Sequence, residues 1–443
     1  VKAEMDLRLI ARELIDSAIK AVDPYILIKE QIQKKNSVLY FSNRQALDLS
    51  EYKRIFICGA GKGTAPMARA MEELLGDYLT SGDVIVKYDH RDDLKKVNLH
   101  EAGHPLPDEN TLKSTKILLN NLSGLTEQDC VFVLLTGGGS SLLESLPPDF
   151  RLADLQQLSA VLLQSGATIH EINCLRKHIS QIKGGQLARI IYPARCVTLA
   201  LSDVIGDDLS VIASGPTSPD PSSFKEALAI LEKYQIGQKM PAKILTHLQN
   251  GQAGKIPETP KSGDDLFHKV SNIVIGNNRL ALERASSIAG SYGFNTIILT
   301  SMLEGEAKEI GKVISAIIRE IQITNMPLNR PACVLMGGEP TVQIRGKGKG
   351  GRNQELALAV AMSDIKQPYV FVSCGSDGTD GPTDAAGAIV DEKTLPRAGE
   401  MGLFATRFLA NNDSYHFFQE LKDLIKTGPT GTNIMDIIIA LIP

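Results

Sequence analysis

Apolar positions along this chain follow two different periods. Near its start, Leu9, Ile10, Leu14, Ile15, Ile19 and Val22 share one helical face, which predicts an amphipathic helix over residues 5–22. From residue 54 onward, short unbroken apolar runs take over at 54–58, 84–87, 131–136 and 196–201, separated by helix-like stretches. Unbroken runs are expected of strands covered by helices on both faces. The alternation predicts an α/β fold with a doubly wound sheet.

Residues 250–265 are rich in Gly, Pro and charge, and they predict a linker. Beyond them the rhythm restarts. Strands are expected at 272–275, 296–300, 332–336, 341–345 and 369–374, and helices over 279–288 and 304–321. The last run, 434–442, reads equally as strand or helix. Two α/β domains follow, residues 1–250 and 266–443, with a cleft between them.

Composition narrows the classes. The 443 residues are 43% hydrophobic and 22% charged, with a net charge of −4. That balance argues against nucleic-acid or membrane-surface binding. No apolar run approaches the roughly 20 residues of a membrane span. The six cysteines form no CxxC pair, and five sit in or beside strand-like runs. Buried free thiols in a reducing compartment explain them best. The start, Val1 to Arg8, is mixed in charge and lacks a signal-peptide apolar core. A cytoplasmic location is therefore expected. The sequence leaves open whether the chain forms a homo-oligomer.

Candidate chemistry gathers where strands end, which is where open α/β sheets bind ligands. After the first strand comes Gly59-Ala-Gly-Lys-Gly-Thr64, opening a helix. Gly59 and Gly61 permit close backbone approach, a helix N-terminus favours an anion, and Lys62 adds a full charge. The loop matches neither a Walker A motif nor a complete dinucleotide fingerprint, since Phe56 and Thr64 occupy glycine positions. Gly137, Gly138, Gly139, Ser140 and Ser141 follow the third strand as a nest of N–H groups and hydroxyls suited to phosphate. Asp203, Asp207 and Asp208 follow the next strand and suit magnesium or turn formation. Arg176 and Lys183 are candidates for holding an anionic substrate, or are solvated cations at a helix end. Further on, Arg345-Gly-Lys-Gly-Lys-Gly-Gly-Arg352 predicts a flexible, strongly positive loop leading into a helix. Gly351 would sit close to phosphate, and Arg352 suits bidentate contact with phosphoryl oxygens. Its alternative is a solvated hairpin tip. Last comes the loop Gly375 to Gly387, with four glycines and the carboxylates Asp377, Asp380 and Asp384. Such carboxylates suit a hard cation or a proton abstraction.

His100-Glu-Ala-Gly-His104 has the letters of a zinc-protease motif. That motif requires a helix, which Gly103, Pro105 and Pro107 oppose, so no zinc site is expected. Asp108 and Glu109 are expected to begin the next helix instead. No role is assigned to His178.

Taken in order, Gly59–Lys62, Glu101–Asn110, Leu135–Ser141, Ile172–His178, Leu201–Asp207, Ala213–Pro216, Gly350–Glu355, Ser376–Asp384 and Thr427–Asn433 resemble the glycerate 2-kinases of the MOFRL family, across nearly the whole chain. The resemblance implies ATP-dependent, magnesium-assisted phosphorylation of D-glycerate at its 2-hydroxyl. It also implies an N-terminal Rossmann-like domain and a smaller C-terminal α/β domain. Lys62, Arg352 and Asp377 would be catalytic: the cations neutralising the phosphoryl group, Asp377 handling the hydroxyl proton or holding magnesium. Asp203 and Asp208 would be metal ligands. The competing class is an NAD(P)H-dependent hydroxypyruvate reductase, favoured by the strand–GxG–helix start and by Asp89. A non-catalytic anion-binding module is a third reading.

Overall fold

The apolar run Arg54–Ala60 becomes an inner strand of a six-stranded sheet in the computed structural model, which describes residues 6–443. Its neighbours, in sheet order, are Val97–Ala102, Leu79–Lys87, Arg54–Ala60, Asp129–Leu135, Arg195–Leu201 and Val270–Gly276. The first five in the chain pair in parallel. Numbered along the chain, the order is 3-2-1-4-5-6, the doubly wound arrangement. Every residue of the 129–135 strand is buried, as the unbroken apolar run required.

The chain divides into two units, Pro24–Ile275 and a second that joins residues up to Asp23 with Gly276–Pro443. This differs from the expected division at 250–266 in two ways. The strand Val270–Gly276, expected to open a second domain, is the sixth strand of the first sheet. Residues 258–260 are bonded to the parallel-sheet unit rather than free to act as a linker. Glu258 accepts from His178 Nε2 (2.9 Å), Thr259 Oγ1 donates to Asp220 (2.9 Å), and Asp220 N–H donates to Pro260 O (2.9 Å). His178, buried and with Nδ1 2.7 Å from Cys174 O, is a core histidine.

The first helix belongs with the C-terminal elements. It runs Leu7–Ala21, capped by Asp6, and packs on the helix Asn278–Ser291. Met5, where it was expected to begin, and the rest of the mixed-charge start at 1–5 lie outside the described residues.

The second sheet is mixed, in the order Asn295–Leu303, Ala332–Gly338, Asp436–Ile442, Val370–Gly375, Gly387–Asp391 and Leu424–Ile425. The ambiguous C-terminal run is therefore a strand, fully buried and antiparallel to both of its neighbours. Beneath it, Ile314, Ile318, Phe371, Phe417 and Ile438 share one core. No strand forms at 341–345. There only Thr341 bridges to Glu306, Ile344 is exposed, and Asn412 Oδ1 takes the N–H groups of Arg345 and Gly346 that a neighbouring strand would have used.

Candidate active site

Strand order reverses between Arg54–Ala60 and Asp129–Leu135, and the loops that follow these two strands flank the crevice where such sheets bind ligands. Lys62 N–H donates to Gly137 O (2.9 Å), and Gly63 N–H to Thr136 Oγ1 (2.9 Å), so the two loops are bonded together. That closeness requires glycine. A Cβ on Gly61, at φ 144°, would lie 2.1 Å from Thr136 Oγ1, and one on Gly59 would lie 2.0 Å from Leu134 O.

In the second loop, Gly138 takes φ 87° and leads into the short helix Gly139–Leu142. Among the described residues, the N–H groups of Gly137, Gly138 and Ser140 meet no acceptor, while those of Gly139 and Ser141 are bonded within the turn. These three N–H groups lie in the turn that is bonded to Lys62, and unengaged N–H groups in such a turn can receive an anion. Ser140 Oγ lies 2.7 Å from the Oγ of Ser214, itself held 3.2 Å from Asn173 Oδ1. Ser141 Oγ donates to Gly138 O and braces the turn.

The two expected substrate cations part company. Lys183 is only 1% exposed, and its ammonium donates to Glu144 Oε2 (2.7 Å) and Leu143 O (2.8 Å). Burial lowers its pKa, and Glu144 opposes that. This corrects the expectation that Lys183 holds substrate: the group is spent on a buried ion pair. Arg176, partly buried at the end of the helix Ile169–His178, makes no hydrogen bond or ion pair among the described residues. Burial lowers its pKa and Glu144 raises it. An arginine left in that state keeps its full fork of donors for a carboxylate or phosphate.

Asp208 is exposed and accepts from Ser210 N–H (2.8 Å), which makes it a turn former. Asp203 follows the 195–201 strand and is partly buried. Among the described residues no three His, Cys, Asp or Glu side chains cluster as a metal site. Magnesium commonly binds one or two carboxylates together with substrate phosphates. The donor set fits that sparse kind of site and not an all-protein cage.

In the mixed-sheet unit, Gly351 caps and Arg352 opens the helix Arg352–Ala361. Arg352 reaches Asp436 through Nε (2.6 Å) and Nη2 (3.0 Å), and Glu339 through Nη1 (2.8 Å). Burial opposes its charge, but the carboxylates outweigh burial and raise its pKa. Of five N–H donors, three are engaged, and two remain to meet an anion. Asp436 is fully buried, and burial pushes its carboxyl up to about 6 against the pull of Arg352 and Asn353.

The cationic loop before Arg352 is pinned rather than flexible. Asn411 Oδ1 accepts from Lys347 N–H, Asn412 Oδ1 from Arg345 and Gly346, and Asp413 Oδ1 from Lys349. Asn412 Nδ2 also donates to the buried Glu355 (2.9 Å), whose carboxyl is raised by burial.

Three aspartates of the 375–387 loop have separate work. Asp380, 3% exposed, caps the 352–361 helix by accepting the N–H groups of Asn353 (3.0 Å) and Gln354 (2.9 Å). The fit is tight, since a Cβ on Gly351 would lie 2.3 Å from Asp380 Cγ. Asp384 binds Lys426 (2.8 Å) and Tyr415 (2.7 Å), in that order of effect, and they hold its carboxyl at about 2. Asp377, partly buried, follows the 370–375 strand, and its Oδ1 accepts from Thr379 N–H and Oγ1 (3.0 Å each). The dismissed zinc motif is also accounted for. His100 and Glu101 lie on the strand Val97–Ala102, where His100 meets buried Asp83 (2.8 Å). Asp108 caps the helix Glu109–Asn121, as expected.

Residues 10–249 match a family described as a domain of unknown function (DUF4147), and residues 332–436 match the MOFRL family. The chain is 42% identical to the D-glycerate 2-kinase of Thermotoga maritima, over 98% of each chain. It is 40% identical to the glycerate 2-kinase of Pyrococcus horikoshii, over 99% of this chain and 98% of the relative. A crystal structure of glycerate kinase from Thermotoga maritima superposes with a TM-score of 0.87 at 41% identity, covering 99% of both chains. Near-full-length identity, the doubly wound unit with its glycine–lysine loop and the MOFRL region agree: the chain belongs to the glycerate 2-kinase family.

Proposed function

We infer that this protein is a glycerate 2-kinase, transferring a phosphoryl group from ATP to the 2-hydroxyl of D-glycerate. The observation that carries the reading is the nest of unengaged N–H groups at 137, 138 and 140 beside Lys62, set where the strand order reverses. Phosphoryl transfer asks a protein mainly for positioning and charge stabilisation. In this reading Lys62 and Arg352 offset charge on the transferring group, and the 137–141 loop receives phosphate oxygens. Arg176 takes the glycerate carboxylate. Asp377 accepts or orients the hydroxyl proton. Magnesium, when bound, neutralises phosphate charge, and Asp203 would hold it together with those phosphates. Asp208 is left with its turn.

The reductase alternative loses support from the first loop. Thr64, where a dinucleotide fingerprint has its third glycine, is fully buried as the first residue of its helix. Purified protein supplied with D-glycerate, ATP and magnesium should form ADP and 2-phosphoglycerate, distinguishable from the 3-phosphate by phosphorus NMR. NADH oxidation with hydroxypyruvate, without ADP formation from glycerate, would overturn the reading.

A pH limb should accompany the activity. Ionised Asp436 holds the Arg352 fork, and its carboxyl gains a proton as pH falls through about 6. We expect kcat/KM to decline on that acid side. Asp436→Asn should be slower at neutral pH and lose the limb near 6. A limb unchanged in that variant would assign it elsewhere. The sign for stability is opposite. A carboxyl whose pKa is raised on folding favours the folded state at low pH and loses that contribution as pH rises through 6. Unfolding driven by this group therefore cannot cause the acid decline.

A further inference from the structure

His104 stands beside the glycine loop with nothing to bond. A Cβ built on Gly138 would lie 2.8 Å from His104 Cδ2, 3.0 Å from its Nε2 and 3.5 Å from Lys62 Cγ. The imidazole and the Lys62 stem therefore border the same small space above Gly138. The ring is partly buried, and neither of its nitrogens has a hydrogen-bond partner among the described residues. The buried histidine of this unit, His178, has both nitrogens engaged. The ring nitrogens are open to solvent rather than sealed in the core, so an anion bound against the 137–141 turn can reach them.

We propose that His104 is a substrate-contacting residue that donates a ring N–H to an anionic oxygen of the ligand bound at Lys62 and the 137–141 loop. The proposal rests on the kinase reading for the identity of that ligand, but not for the contact itself. Burial first, then Lys62, Lys87 and His90, hold the ring's pKa down to about 4. A base that weak is poorly matched to abstracting a hydroxyl proton near neutrality. The neutral ring offers one donor and one acceptor, and only the donor suits a carboxylate or phosphate oxygen. The unpaired donor adds direction to the charge that Lys62 supplies. Any residue larger than glycine at position 138 would strike the ring.

The test begins with binding, so that it survives failure of the kinase reading. In wild-type protein the ring nitrogen signals of His104, assigned by their loss in His104→Gln, should shift on adding ATP alone or D-glycerate alone. A shift with ATP identifies a phosphate oxygen, and a shift with D-glycerate identifies the carboxylate. Absence of any shift with both ligands present overturns the contact. A shift without ADP formation retains the contact and rejects the kinase assignment. In turnover, His104→Ala should lower kcat/KM about 10²-fold, the scale of one lost donor to developing charge. His104→Gln, which keeps an N–H near the Nε2 position, should recover at least a tenth of wild-type kcat/KM. If His104→Ala stays folded and within twofold of wild type, the ring only packs and the proposal falls.

Discussion

Replacing Lys62 with alanine should lower kcat/KM with D-glycerate and ATP by about 10³-fold or more, with little change in melting temperature. Groups that offset charge on a transferring phosphoryl contribute about 10³–10⁵ in rate where they have been removed. The main chain of Lys62 is fixed by the N–H bond to Gly137 O and by Gly61, so the backbone should hold its course when the side chain is cut. Arg352→Ala should lose turnover comparably, but with a second effect. It strands Asp436, a fully buried carboxyl that has no other cationic ion-pair partner among the described residues. Arg352→Lys separates the two effects. The lysine keeps a charge near Asp436 but loses the fork, so stability should return further than activity. Activity near wild type in Lys62→Ala would remove Lys62 from the mechanism, and the same result for Arg352→Ala would remove Arg352.

Lys183→Met should unfold the parallel-sheet unit at a much lower temperature while leaving any folded fraction close to wild type in KM. Glu144 is 1% exposed and would keep only Ser180 Oγ (2.6 Å) and Ser145 N–H (3.0 Å) as donors. Breaking one side of a buried ion pair destabilises by about 3–5 kcal/mol. For a unit of this size that is roughly 6–20 °C in melting temperature. The double change Lys183→Met with Glu144→Leu should regain much of the loss, because an apolar pair leaves no charge buried. Differential scanning calorimetry on the three variants gives the answer. A Lys183→Met protein that melts like wild type but has a strongly raised KM for glycerate would restore Lys183 to substrate binding.

That reversal shows where sequence reading reaches its end. Lys183 and Arg176 both read as cations at a helix end, and nothing local separates them. What separates them is Glu144, 39 residues before Lys183, which the fold bonds to the ammonium at 2.7 Å while it acts on the guanidinium through its charge alone. Asp436 is hidden for a similar reason. A single carboxylate heading an apolar run reads as a strand boundary, and only pairing with Gly375 and Gly338 puts it beneath Arg352. By contrast Gly59, Gly61 and Gly138 of the switch-point loops were legible, because each takes a positive φ that other residues rarely adopt, just after an apolar run. His104 fell between these cases. The expected absence of a helix at 100–104 holds, but nothing in the local pattern tells that the turn after the strand carries His104 to Gly138. The linker was misjudged because Gly, Pro and charge also suit a segment tied down by side chains, as Glu258 and Thr259 are.

The discontinuous unit sets an order of assembly. Its first helix, Leu7–Ala21, is made early, yet its partner helix at 278–291 and the inner strand Asp436–Ile442 come far later. At about 5–20 residues per second, a ribosome needs roughly 20–80 s to travel from the helix to that strand. Throughout this interval the parallel-sheet unit can complete itself, while Leu14, Ile15 and Ala18 wait with their apolar face uncovered. Synthesis of the 436–442 strand is then the event that lets the mixed sheet close. A message that ended before residue 436 would yield a protein whose Lys62 loop is finished and whose Arg352 lacks Asp436 and keeps the carboxylate of Glu339.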